Sequence, residues 1–271
     1  MAVTADSQHH KSIPIWDPWV RIFHWSLAAS VIFMLFTGWF GLERSQLFRC
    51  FHDDVGQVIA ALVAFRILWG VMGSSNARLW VLFKNPIAAF QHIRDLFLRR
   101  TISQERGHNA AGSWAVLAML VLLGFQAASG YLISDTDNGD VTGPLFYSYS
   151  VESELPSFVS GFTRGELSEQ LLELHYLNAD LLTILAIVHV VMVLLYLILA
   201  KQNLVLPMLT GKIKWKTAST APELRIAPSS RGFVLAAIVV CTMGWIGDWH
   251  KGKFFNGALT LCVSEESEFD F

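Results

Sequence analysis

The chain has 271 residues, of which 53% are hydrophobic and 15% charged, with a mean hydropathy of +0.44 and a formal net charge of −2. That apolar content exceeds what one soluble core of this size needs, so a membrane protein is expected, and the near-neutral balance gives no reason to expect a nucleic-acid partner. Cys50, Cys241 and Cys262 form neither a CxxC pair nor a CxxCH motif, which removes zinc ribbons, thioredoxin-like chemistry and covalent haem attachment.

In chain order, residues 1–15 lack the apolar centre of a secretory signal, so the first hydrophobic run is expected to be retained. Four long apolar runs follow, at residues 20–41, 52–73, 110–133 and 175–200, each near the roughly 20 residues that cross a bilayer. A fifth run at 232–247 is shorter and contains glycine; its flanks Arg231 and Trp249 suit a crossing, so five spans are expected. Between the runs, Arg78, Lys84, Arg94, Arg99, Arg100 and Arg106 mark one connection as cytoplasmic, and Lys201, Lys212, Lys214, Lys216, Arg225 and Arg231 mark another. The connection at 134–174 carries Asp135, Asp137, Asp140, Glu152, Glu154, Glu166, Glu169 and Glu173 against Arg164 alone, and belongs on the opposite side. The expected organisation is an all-α integral membrane chain. It comprises a cytoplasmic segment (1–19), a four-helix core (20–200), a basic cytoplasmic loop (201–231), a fifth transmembrane helix (232–249) and an acidic periplasmic tail (250–271).

Five histidines lie at or inside these runs: His24, His52, His108, His175 and His189. An imidazole at membrane depth faces the protein interior and needs a partner or a metal. A single such residue is as well explained as a satisfied interfacial side chain; the pattern carries the argument. His175 and His189 are fourteen residues apart, just short of four helical turns, so one helix presents two imidazoles on one face about 21 Å apart along its axis. His24 and His52 lie at opposite levels on two antiparallel spans. Depth therefore pairs His52 with His175 near the outer surface and His24 with His189 towards the inner one. Two neutral imidazoles fill the axial positions of a haem iron, which favours electron transfer over oxygen binding. Gly56 and Ala179, each one turn after a histidine, leave room for a flat macrocycle, although small residues serve ordinary helix contact equally well.

Arg66 is the basic residue deepest in a span and is expected to pair with a propionate of the inner haem, with Arg21 the second candidate and snorkelling the competing explanation. His108 opens the third span, with Gly112 one turn later. It is the alternative to His24 as partner of His189, or lines a quinone pocket; His24 is preferred because it sits inside its apolar run.

Arg21, His24 and Trp25, with Thr37 and Gly38 later on the same helix, resemble the R-x-x-H-W and T-G signature of hydrogenase-type b cytochromes. Trp16, Asp17 and Pro18, the Gly107, His108, Asn109 entry to the third span and the His175 to His189 spacing are similar to the bacterial cytochrome b561 branch of that group. The resemblance covers about residues 15–200. It implies a four-helix di-haem core in the bacterial cytoplasmic membrane, with two haem b held by His24, His52, His175 and His189. It also implies electron exchange between a periplasmic redox partner (a c-type cytochrome or an oxidoreductase subunit) and membrane quinone. An electron-transfer subunit is preferred over a stand-alone enzyme. The alternatives are a small-donor oxidoreductase, taking for example superoxide and reducing quinone, and a haem-free proton or ion transporter.

Weaker signals point elsewhere less well. Asp135, Asp137, Gly139 and Asp140 look like the start of a calcium loop, but Phe146 stands where the closing acid is needed, so a solvated turn is expected. A disulfide between Cys50 and Cys262 is not expected.

Overall fold

The structure, a computed structural model, describes residues 11–40, 46–100, 105, 107–136, 164–215 and 225–251. The Cys50 side chain, Cys262, residues 137–163 of the acidic connection with all of its calcium-like turn but Asp135, and the acidic tail from residue 252 lie outside the described residues.

The fold is mostly helical: β1 (Lys11–Pro14), α1 (Pro18–Phe40), α2 (Gln46–Met72), α3 (Pro86–Phe97), α4 (Ala110–Thr136), α5 (Arg164–Leu199), α6 (Val205–Thr210), β2 (Lys212–Trp215) and α7 (Ser229–Lys251). Within these, Pro18–Trp39, Asp54–Met72, Ala110–Ile133 and Glu169–Leu199 are long and apolar enough to cross a bilayer. Side chains such as Ile32, Val121 and Ile198 are well exposed on these helices, the distribution expected when the solvent is lipid. The apolar part of α7, Ser229–Met243, is shorter, about 22 Å at 1.5 Å per residue. Helix α5 starts at Arg164, so eleven residues that the sequence reading assigns to the connection at 134–174 are helical.

Side-chain caps set three helix starts. The Asp17 carboxylate accepts from the Val20 N–H at 2.9 Å, with Pro18 in the first position of α1. Asn85 accepts from Ile87 N–H at 2.9 Å ahead of α3, and Asn109 from Gly112 N–H at 2.7 Å ahead of α4. The Asn of the Gly107, His108, Asn109 stretch is thus a helix cap.

The chain divides into two compact units. The first takes the described residues of Met1–Trp25, Arg66–Ala118 and Leu185–Leu235. In it β1 and β2 pair antiparallel, with Lys11 opposite Trp215 and Pro14 opposite Lys212. Helix α6 ends at Gly211, whose φ of +76° suits glycine, and the Ile15 and Trp16 N–H groups donate to its carbonyl at 2.8 and 3.2 Å. Trp69 is fully buried and donates its indole N–H to Asp17 at 3.2 Å, so the carboxylate that caps α1 also ties down the end of α2. The second unit takes the described residues of Ser26–Phe65, Met119–Ile184 and Ala236–Phe271. Its core joins Ile59 and Val63 of α2, Leu123 of α4 and Leu182 of α5, with Leu27, Val31 and Met34 of α1 packed against them.

Candidate functional site

Two histidine pairs form, one within each unit. In the first unit His24 of α1 and His189 of α5 face each other with ring centroids 6.4 Å apart and planes inclined at 54°. In the second, His52 of α2 and His175 of α5 have centroids 6.5 Å apart at 63°. An imidazole nitrogen binds a transition metal at about 2.0 Å and lies about 1.1 Å from its ring centre, so two rings flanking one metal have centroids about 6.2 Å apart. Both pairs have that spacing. Among the described residues no three His, Cys, Asp or Glu side chains converge. Two protein ligands are too few for a bare ion, and are the number an iron already held by a porphyrin's four nitrogens leaves open.

The surroundings fit such a group. His24 Nδ1 and His52 Nδ1 are buried with no hydrogen-bond partner among the described residues. A Cβ added at Gly56, one turn after His52, would meet Met34 Cε at 3.9 Å, an ordinary contact, and nothing nearer. At His175 both nitrogens are engaged: Nδ1 lies 2.9 Å from Ser129 Oγ and Nε2 lies 2.9 Å from the Gln126 amide nitrogen. An iron taking Nε2 would take the place of that amide.

Arg66 is 3% exposed and its Nη1 donates to the Ala77 carbonyl at 2.9 Å, while its guanidinium lies 6.0 Å from the Phe23 ring centre. It is held by the protein and does not snorkel. Arg21 donates through Nη1 to the Leu209 carbonyl at 2.6 Å, and its Nε is buried without a partner among the described residues. His108 packs on Trp16, centroids 4.7 Å apart, and its carbonyl accepts from Lys84 Nζ at 2.6 Å. Burial, with the charges of Arg66, Lys84, His189 and His24 acting in the same sense, pushes the His108 imidazole down to about 3. His108 therefore lies in the electrostatic neighbourhood of the first pair, but it is His24 whose ring faces His189 at one-metal spacing.

A profile described as prokaryotic cytochrome b561 matches residues 15–211, which include all four paired histidines. The chain belongs to the prokaryotic cytochrome b561 family. Three curated relatives carry the name "Probable Ni/Fe-hydrogenase B-type cytochrome subunit". That of Rhodobacter capsulatus is 24% identical over 230 residues, covering 76% of this chain and 82% of the relative. Those of Rhizobium leguminosarum bv. viciae and Bradyrhizobium diazoefficiens are each 24% identical, covering 76% and 79% of this chain and 90% and 93% of the relatives. No solved structure matches. This cytochrome is accordingly an integral membrane protein of electron transport that carries b-type haem.

Sequence reasoning passed over Ser129, Gln126 and Asn178, which gather around His175. Their signal in the sequence is their polarity: Asn, Ser and Gln side chains within apolar spans are expensive unless partnered. It also passed over the capping role of Asp17.

Proposed function

We propose that this cytochrome is the membrane electron-transfer subunit of a bacterial oxidoreductase and binds two haems b, one between His24 and His189 and one between His52 and His175. The observation that carries this reading is the spacing of the two imidazole pairs, 6.4 and 6.5 Å between ring centres. When bound, haem iron supplies a one-electron couple, and two of them link a redox partner to membrane quinone. The chain's part is to present four neutral imidazoles, to surround them with apolar helix and to place cations where propionates need them. Arg66 is the first candidate cation for the first pair and Arg21 the second, and the Arg21 Nε, buried without a partner among the described residues, is the kind of donor a carboxylate completes.

The hydrogenase-subunit names of the three relatives favour an oxidoreductase subunit, hydrogenase first, as the partner, with a c-type cytochrome second. The basic segments around α3 and after α5 support an inner-membrane placement with those connections cytoplasmic; five crossings then put the tail in the periplasm. A stand-alone superoxide oxidase has no comparable support, because the expected outer connection is acidic where an anionic donor would need positive charge. Membership in a cytochrome family sets aside the haem-free transporter.

The test is a haem count on the purified chain by the pyridine haemochrome method, with reduced-minus-oxidised spectra. Two haems per chain, with one lost in each of His52→Ala and His189→Ala, is the expected result. One haem per chain, or two surviving both exchanges, refutes the assignment.

A further inference from the structure

The polar cluster beside His175 is the feature that the ligand assignment leaves unused. It is closed by two backbone carbonyls, which can only accept. Asn178 Nδ2 donates to the Leu122 carbonyl at 2.9 Å and also to Gln126 Oε1. That fixes the Gln126 amide with its nitrogen towards His175 Nε2, so Nε2 is an acceptor. Ser129 Oγ has a single proton and directs it to the Gln126 carbonyl at 3.2 Å, so its oxygen must accept from His175 Nδ1 at 2.9 Å. Both ends of the network thus demand the same tautomer, with hydrogen on Nδ1 and the lone pair on Nε2. Ser129 is 2% exposed, so the contact is buried. The seat is close as well: a Cβ at Gly130 would come within 3.1 Å of His175 Cε1.

We propose that Ser129 is a positioning residue for the haem held by His52 and His175, accepting the Nδ1–H of His175 so that Nε2 is the iron-binding nitrogen and the ring is a stronger electron donor. This rests on the reading that His175 is a ligand. A ligand whose far N–H is hydrogen-bonded carries more negative charge and stabilises ferric over ferrous iron. The first pair has no such device at His24, whose Nδ1 is buried without a partner among the described residues. Ser129 therefore lowers the potential of one haem and leaves the other alone.

The experiment is a redox titration of the full-length cytochrome carrying Ser129→Ala or Ser129→Thr, with haem counted in each preparation and His175→Ala as the control for ligation. The expected result is that Ser129→Ala raises the potential of one of two components, with about a tenfold change in its ferric-to-ferrous preference, equivalent to about 59 mV for one electron. Ser129→Thr, which keeps the hydroxyl, restores it. Loss of one haem in Ser129→Ala but not in Ser129→Thr also supports the role. Unchanged potentials at full haem content, a shift of both components, or haem loss in both variants overturns it. Failure of the ligand reading is separate: His175→Ala would then keep both haems.

Discussion

His24 and His189 face each other across 6.4 Å between ring centres, while His108, in their electrostatic neighbourhood, packs against Trp16 at a tilt of 52° instead. The two candidates for the same iron are thereby distinguished by contact and not by proximity alone. His24→Ala is expected to remove one haem of two, and His108→Ala to keep both with at most a shift in one potential. Haem content of the two purified variants decides the matter; the opposite pattern would reassign the ligand.

Arg66 and Arg21 offer their positive charge differently. Arg66 already serves the Ala77 carbonyl, so Arg66→Ala is expected to cost about 1–3 kcal/mol by orphaning that acceptor in addition to any effect on haem. A nearby cation favours the more negative, reduced state, so losing either arginine should lower the potential of one haem, and Arg66→Lys should recover part of it. Potentiometry on Arg66→Ala and Arg21→Ala that leaves both couples unmoved would exclude propionate pairing for both.

Much of this was legible in the sequence, for a physical reason. Four spans need only length and apolarity, and two histidines fourteen apart on one of them must share a face whatever the neighbouring helices do. The short elements were not legible. Helix α6 has six residues with Pro207 inside it, and β1 and β2 have four each and exist because they pair with one another across the length of the chain. Helix α3 hides in a basic stretch read as a loop, although Asn85 and Pro86 are a cap and a first turn. At the site, the paired histidines are announced by being ionisable in lipid, whereas the partners that the polar Ser129 and Gln126 need emerge only when α4 is laid against α5.

Asp17 illustrates how a motif residue works structurally. It caps α1 through Val20 N–H and accepts the Trp69 indole N–H, both out of contact with solvent. Asp17→Ala should destabilise the detergent-solubilised protein by about 2 kcal/mol, one part for the cap and one for the orphaned indole. Asp17→Asn keeps an acceptor for the cap and should lose about half as much. Thermal unfolding of the three proteins measures the series, and equal midpoints for Asp17→Ala and the parent would show that neither contact matters.

His108 should make the fold acid-sensitive. Its imidazole is held near 3 in the folded chain and returns to about 6.5 when unfolded, so between those values the unfolded state binds a proton that the folded state refuses. Stability therefore rises with pH through that window and is lost as pH falls below about 6.5, at about 1.4 kcal/mol per pH unit. His108→Gln keeps a polar side chain of similar reach and removes the titration, so its melting temperature should fall less steeply than the parent's between about pH 4.5 and 6.5. Subtracting one slope from the other isolates His108 from every other acid-sensitive group. Parallel slopes would mean that the imidazole protonates as easily in the folded protein as outside it, and that its place against Trp16 does not exclude water.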